Sequence, residues 1–273
     1  MFKFILKLFI IQSVLYSINS YARCSLKVAC TYDCGGIFAF RLKTTALMRG
    51  IKLKLNVLQP KDFEVSSLQG YDAFIIPGGA DIDPDYYTQN LSSSWQSYYR
   101  AHRNLVEFTE EGKFRDPLEM KFLENYFSAE ELKEKPLLGV CRGMQLMSAS
   151  QGLPLYLDIK TELGIKNRRH LFDYIYPVND SLMDELFYKN IYGYELHHQG
   201  IRVDYYDHYS SQFPQLKITA YSNKNLIAEA IEFNNRPALG VQFHPEFSSP
   251  YVKKKVFGWL LDTACKNKEG KQE

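Results

Sequence analysis

A short apolar run that ends in Gly-x-Cys-x-Gly constrains this chain more than any other feature. Residues 136–147 read Pro-Leu-Leu-Gly-Val-Cys-Arg-Gly-Met-Gln-Leu-Met. Leu137 to Val140 reads as a buried strand, and residues 142–150 are helix-compatible, with Met144, Leu146 and Met147 apolar. A strand that runs straight into a helix needs a tight turn. Gly139 and Gly143 flank Cys141 and remove side chains that would clash there. Such a turn lifts a sulfur above the sheet edge and places it at a helix N-terminus, where unpaired N–H groups favour a thiolate. The N–H of Arg142 then faces any negative charge that develops beside the sulfur. Cys141 is therefore the candidate nucleophile.

A thiol nucleophile needs a base, and the base needs a group to orient it. His244 follows an apolar run in Gly240-Val241-Gln242-Phe243-His244-Pro245-Glu246. Pro245 stops the strand, and Glu246 is close enough to hold one imidazole nitrogen while the other faces Cys141. Two further histidines, His197 and His198, precede Gln199 and suit a structural or pocket-lining role. His102 and His208 read as loop residues. No Cys/His spacing matches a zinc site, and the His197–His198 pair has no third ligand at a telling distance, so no metal is expected.

The first 22 residues resemble a secretory leader. Lys3 and Lys7 precede a mostly apolar run, and Ser20-Tyr21-Ala22 offers small residues where a signal peptidase reads, so cleavage after Ala22 and export are expected. The run is too short and interrupted for a stable membrane span. Its removal takes the basic count from 33 to 31, equal to the 31 acidic residues, and a neutral chain offers no electrostatic footprint for nucleic acid. Five cysteines remain: Cys24, Cys30, Cys34, Cys141 and Cys265. In an oxidising compartment an odd count leaves at least one thiol unpaired, and Cys141 is the natural one. The other four allow three full pairings.

From residue 23 onward the chain reads as one domain without repeats or a dividing linker. Strands are expected at 26–31, 51–58 and 71–76, with a helix at 37–49 between the first two. This alternation suggests a mostly parallel central sheet flanked by helices, an α/β fold. Residues 80–112 read as a long loop with a short helix, either a functional cover or a solvated insertion. A helix is expected at 117–127 and a short strand at 153–157. The basic run 166–170 reads as solvated loop. Strands at 193–196, 216–221, 226–233 and 238–243 and a closing helix at 250–265 complete the pattern.

In order along the chain stand Ile76-Pro77-Gly78-Gly79, Asp81-Ile82-Asp83-Pro84, Arg115-Asp116 with Glu119, Gly139-Val140-Cys141-Arg142-Gly143-Met144-Gln145, His197-His198-Gln199 and Gly240-Val241-Gln242-Phe243-His244-Pro245-Glu246. With these pieces the chain resembles the class I glutamine amidotransferase-like superfamily. Within it, the chain is similar to the gamma-glutamyl-gamma-aminobutyrate hydrolase branch of the C26 peptidases. Tyr194-Glu195 stands where that branch usually has Asn-Ser. The resemblance implies a flavodoxin-like architecture and a Cys141–His244–Glu246 triad. It also implies an oxyanion hole from the N–H groups of Gly79 and Arg142, with Gln145, His198 and Gln199 at the substrate. The implied substrate is a small γ-glutamyl amide, cleaved through a glutamyl thioester without a cofactor, and a homodimer is compatible with it. A folate poly-γ-glutamate hydrolase, a glutaminase and an inactive binding module are the alternatives.

Overall fold

The computed structural model describes residues 23–165 and 171–270. The expected leader and the basic run 166–170 lie outside the described residues. A nine-stranded sheet forms the centre. Its first half is parallel: β2 (Ile51–Val57), β1 (Cys24–Cys30), β3 (Ala73–Ile76), β4 (Leu137–Val140) and β11 (Ala238–Val241) lie side by side in that order. Its second half is antiparallel: β10 (Ile227–Phe233), β9 (Leu216–Ser222), β6 (Phe172–Pro177) and β7 (Ile191–Tyr194). A two-stranded ribbon of β5 (Leu155–Tyr156) and β8 (Gly200–Ile201) stands apart. β3, β4 and β11 are buried throughout, as expected for strands covered on both faces.

Helices cover both faces. On one side, α1 (Gly36–Met48), α5 (Leu182–Phe187) and α7 (Pro250–Glu269) enclose a core that includes Phe38, Leu42, Phe187, Phe257 and Leu261. On the other, α3 (Glu110–Ser128) and α4 (Arg142–Ala149) pack Phe122, Tyr126, Met144 and Met147 against the sheet. Two further helices, α2 (Ser93–Ala101) and α6 (Val203–Tyr209), join this second layer through Tyr99 and Tyr205. The result is a three-layer α/β fold. Local chemistry sets the helix starts. Thr109 accepts the Gly112 N–H at 3.0 Å, and Ser249 accepts that of Val252 at 3.3 Å, with Pro250 in the first turn.

Two disulfides join Cys24 to Cys265 and Cys30 to Cys34, and Cys141 is free and buried. The first ties the start of β1 to the last helix across 241 residues of chain. Closing a loop of that size restricts the unfolded chain by on the order of 5 kcal/mol. The second closes the turn after β1.

Several expected boundaries move. The helix expected at 117–127 begins seven residues earlier, at Glu110, and Pro117 lies inside it. Its first turns are polar because they are held by ion pairs rather than by an apolar stripe. The long segment 80–109 does hold one short helix, α2, together with short turns of 3-10 helix. The strand expected at 153–157 pairs over Leu155 and Tyr156 alone. His208 stands in α6 rather than in a loop. β6, α5 and α6 have no counterpart among the expected elements.

Candidate active site

Parallel pairing aligns the carboxyl ends of β1, β3, β4 and β11 on one edge of the sheet. Gly139 sits opposite Ile76 on one side and Gly240 on the other, and Val140 opposite Val241. The residues that follow these strands must therefore meet, and this edge is where open α/β sheets place their ligands.

Cys141 leaves β4 at φ 52° and ψ −108°, a conformation an L-residue rarely adopts. Two close approaches hold it there. A Cβ on Gly143 would collide with the Ile76 carbonyl, and one on Gly139 would strike the Met147 sulfur and the Gly143 backbone. The Cys141 N–H donates to Val241 O at 2.8 Å, which ties the elbow to β11. Its sulfur lies 3.8 Å from Leu196 O, and Gln242 Nε2 donates to it at 3.6 Å.

His244 follows β11, and its N–H donates to Tyr194 O at 2.8 Å. Its Nδ1 is 2.8 Å from Glu246 Oε1. With an ionised carboxylate there, Nδ1–H donates to it and Nε2 is the nitrogen left for chemistry. Nε2 is buried without a geometric hydrogen-bond partner among the described residues, and the Cys141 sulfur is the group that acts on it. Burial acts to lower the His244 pKa. The Cys141 sulfur and the Glu246 carboxylate outweigh it and push the value up to about 10. A Cβ on Gly78 would lie 3.0 Å from His244 Cε1 and 3.6 Å from Cys141 Cβ, so this glycine borders both groups.

The loop Pro77-Gly78-Gly79 after β3 is held from behind by charge. Arg115 on α3 donates to Pro77 O and Gly78 O, each at 2.9 Å, and to Glu111 and Glu119. A Cβ on Gly79 would collide with Arg115 and Glu111. The Arg142 guanidinium, 1% exposed, pairs with Asp116 and Glu119. Thr31 donates to Glu119 at 2.6 Å. Burial raises the Glu119 pKa, but the Arg142 and Arg115 charges prevail and hold it low. Thus the N–H of Gly79 ends a loop fixed by Arg115, and the N–H of Arg142 begins α4 at a side chain fixed by two carboxylates.

The other flank of the sulfur is neutral. Gln145 Nε2 donates to Gln199 O at 2.9 Å and to Gln242 Oε1 at 3.1 Å, and Gln242 in turn reaches the sulfur. Gln145 is buried, with its amide nitrogen engaged inside the protein. Gln199 Oε1 accepts the Ile82 N–H at 3.1 Å, while its Nε2 is buried without a hydrogen-bond partner among the described residues. His198 is half exposed and lies between Asp81 at 2.8 Å and Asp158 at 3.4 Å. The bond to Asp81 is the largest influence on His198, ahead of the opposing burial, and with Asp158 it raises the pKa.

One set among the described residues could hold a cation: donor atoms of Glu195, His197 and Glu229 lie within 4.8 Å of one another. His197 is 2.8 Å from Glu195 Oε2 and 2.7 Å from Gln199 O, and Ser222 donates to Glu229 at 2.6 Å. Glu229 is on β10, far from the histidines in sequence, so no motif spacing could reveal it. Gln242 lies in the run before His244, but nothing in its spacing marks it as a neighbour of the sulfur. The pieces Arg115-Asp116 and Glu119 are visible in sequence, but their pairing with Arg142 is a product of the fold.

The sequence profile described as Peptidase C26 matches residues 42–246. Protein NtpR of Enterococcus hirae is 28% identical over 210 residues, spanning 73% of this chain and 76% of that protein. Among solved structures, the glutaminase domain of Trypanosoma brucei CTPS with bound acivicin superposes with a TM-score of 0.56 at 15% identity, covering 89% of this chain and 94% of its own. A protein from Thermoplasma acidophilum described as a candidate GMP synthase component gives a TM-score of 0.57 at 18% identity, covering 91% and 98%. At these identities the two structures speak for the fold alone: the class I glutamine amidotransferase-like, flavodoxin-like architecture.

Proposed function

The chain belongs to the peptidase C26 family of hydrolases, and on that premise we propose that it cleaves γ-glutamyl amides through a glutamyl thioester on Cys141. The observation that carries the proposal is the convergence at one sheet edge of the Cys141 elbow, the His244–Glu246 pair and the Gly78–Gly79 loop.

The chemistry follows from those positions. The Cys141 thiol passes its proton to His244 Nε2, and the sulfur attacks the side-chain carbonyl carbon of the glutamyl group and forms a C–S bond. The carbonyl oxygen takes the electron pair and meets the N–H groups of Gly79 and Arg142. As the C–N bond breaks, His244 Nε2 gives its proton to the departing amine. Water then attacks the thioester, His244 takes the water's proton, and the C–S bond breaks to release glutamate. Glu246 holds the imidazole orientation and stabilises its charged form throughout, as the acidic member does in related triads. The unspent Gln199 Nε2 offers N–H donors to an acceptor on the glutamyl part, and Gln145 backs it from below.

Two disulfides that leave Cys141 free suit an oxidising compartment and support the expected export. The test is glutamate release from a panel of γ-glutamyl amines, glutathione, polyglutamyl folate and glutamine. At least one γ-glutamyl amide should release glutamate with the wild-type chain and none with Cys141→Ala. Equal release by the variant would refute the scheme.

A further inference from the structure

Resting on this γ-glutamyl hydrolase reading, the leaving amine must depart past His244 Nε2, which protonates it. A cleft of about 470 Å³ opens at that point, bordered by Gly78, Gly79 and His244. Its far walls come from the turn after β1, the start of α1 and Phe247.

We propose that this cleft is the leaving-group site, and that it takes a neutral or cationic amine with an apolar or aromatic body and disfavours amines that carry a carboxylate.

Three features of the walls carry this. First, they offer apolar surface. Ile37 is 53% and Phe247 44% exposed, and Tyr32 joins them. Second, apart from the His244–Glu246 pair itself, the charged side chains that line the cleft are acidic. Asp33 and Glu111 face the cleft, and no lysine or arginine among the described residues lines it. Third, the nearest arginine is already committed. The Arg115 side chain, 1% exposed, is bound to Pro77 O, Gly78 O, Glu111 and Glu119, and the Tyr32 ring covers it at 4.7 Å from the ring centroid.

The N-terminus of α1 also opens here and would by itself attract an anion. Asp33 Oδ1 accepts the Gly35 N–H at 2.9 Å and so already supplies negative charge at that end. The Cys30–Cys34 disulfide closes the turn and fixes Asp33 in place. A carboxylate on the amine would therefore meet Asp33 and the Arg115-paired Glu111 with no lysine or arginine to receive it, while His244, the basic side chain that borders the cleft, is held by Glu246 and gives its proton to the amine nitrogen. A neutral or protonated group would meet either apolar wall or a carboxylate.

The experiment compares kcat/KM for three γ-glutamyl amides: those of phenethylamine, of γ-aminobutyrate and of glutamate. The phenethylamide should exceed both carboxylate-bearing substrates by at least about fivefold, the effect of one solvent-exposed like charge at a few ångströms. Asp33→Lys should lower that ratio by about tenfold, because it reverses one of the two charges. Equal rates for the three amides, or an unchanged ratio in Asp33→Lys, would overturn the assignment while leaving the hydrolase reading in place. Absence of glutamate from all three would overturn both.

Discussion

The two flanks of Cys141 are built from opposite materials. On one side stand two arginines and three carboxylates: Arg115, Arg142, Glu111, Asp116 and Glu119. On the other, three glutamines form a neutral relay from Gln199 O through Gln145 and Gln242 to the sulfur. The ionic flank fixes backbone: it holds the Pro77–Gly79 loop and the first residue of α4, the two places where the proposed oxyanion donors stand. The amide flank touches the sulfur without bringing a full charge next to it. Fixed backbone dipoles stabilise charge that develops during reaction without needing to reorganise. The full charge beside the sulfur comes from neither flank but from His244, whose pKa is pushed up to about 10.

The ionic flank should fail most severely when one member is removed. Arg142→Leu leaves Asp116 and Glu119 as buried carboxylates without their main partner. It should lower stability by about 3–5 kcal/mol, measured by urea unfolding, since breaking a buried pair strands a charge. A loss below about 1 kcal/mol, the scale of a solvated pair, would mean that water reaches the network.

The amide flank should cost less. Gln242→Leu removes the donor to the sulfur and leaves the second Gln145 N–H unmatched. The expected loss is about 1–3 kcal/mol, the penalty of one orphaned buried polar group. Alkylation of Cys141 by iodoacetamide at neutral pH should slow in the same variant. An unchanged alkylation rate would remove Gln242 from the sulfur's surroundings.

A gentler probe is pH. The His244 pKa is raised from 6.5 to about 10 in the folded chain. A raised pKa means that the native state keeps a proton which the unfolded state loses. The resulting stability is fully present below pH 6.5 and is lost as pH rises toward 10, at about 1.4 kcal/mol per pH unit within that window. Chemical unfolding of wild type and His244→Gln between about pH 6 and 10 should show the wild type falling more steeply. Parallel slopes would place the proton elsewhere.

These two flanks differ equally in how legible they are in the sequence. The elbow is legible because its glycines answer local steric needs: Gly139 and Gly143 each have a neighbour where a Cβ would go. His244 and Glu246 are legible because a two-residue spacing lets them meet without help from the fold. The parallel strands stand out as continuous apolar runs, whereas β6 reads Phe-Asp-Tyr-Ile-Tyr-Pro and is only half-buried. The ionic flank stays hidden because α3 begins with Glu-Glu-Gly-Lys-Phe-Arg-Asp, which carries no apolar period. A proline at the first helical position is the usual start signal and points to Pro117, while burial of Arg115 and Asp116 decides the real boundary. Gln242 and Glu229 need the strand register before their neighbours can be known.

The central claim is that Cys141 carries the glutamyl group during turnover. The direct measurement is to mix the protein with a γ-glutamyl amide that it hydrolyses, quench in acid within the first turnovers, and map the adduct by peptide mass spectrometry. The account predicts a glutamyl thioester on Cys141 in the wild-type chain and none in Cys141→Ala. A glutamyl adduct on any other residue, or hydrolysis that continues in Cys141→Ala, would contradict it.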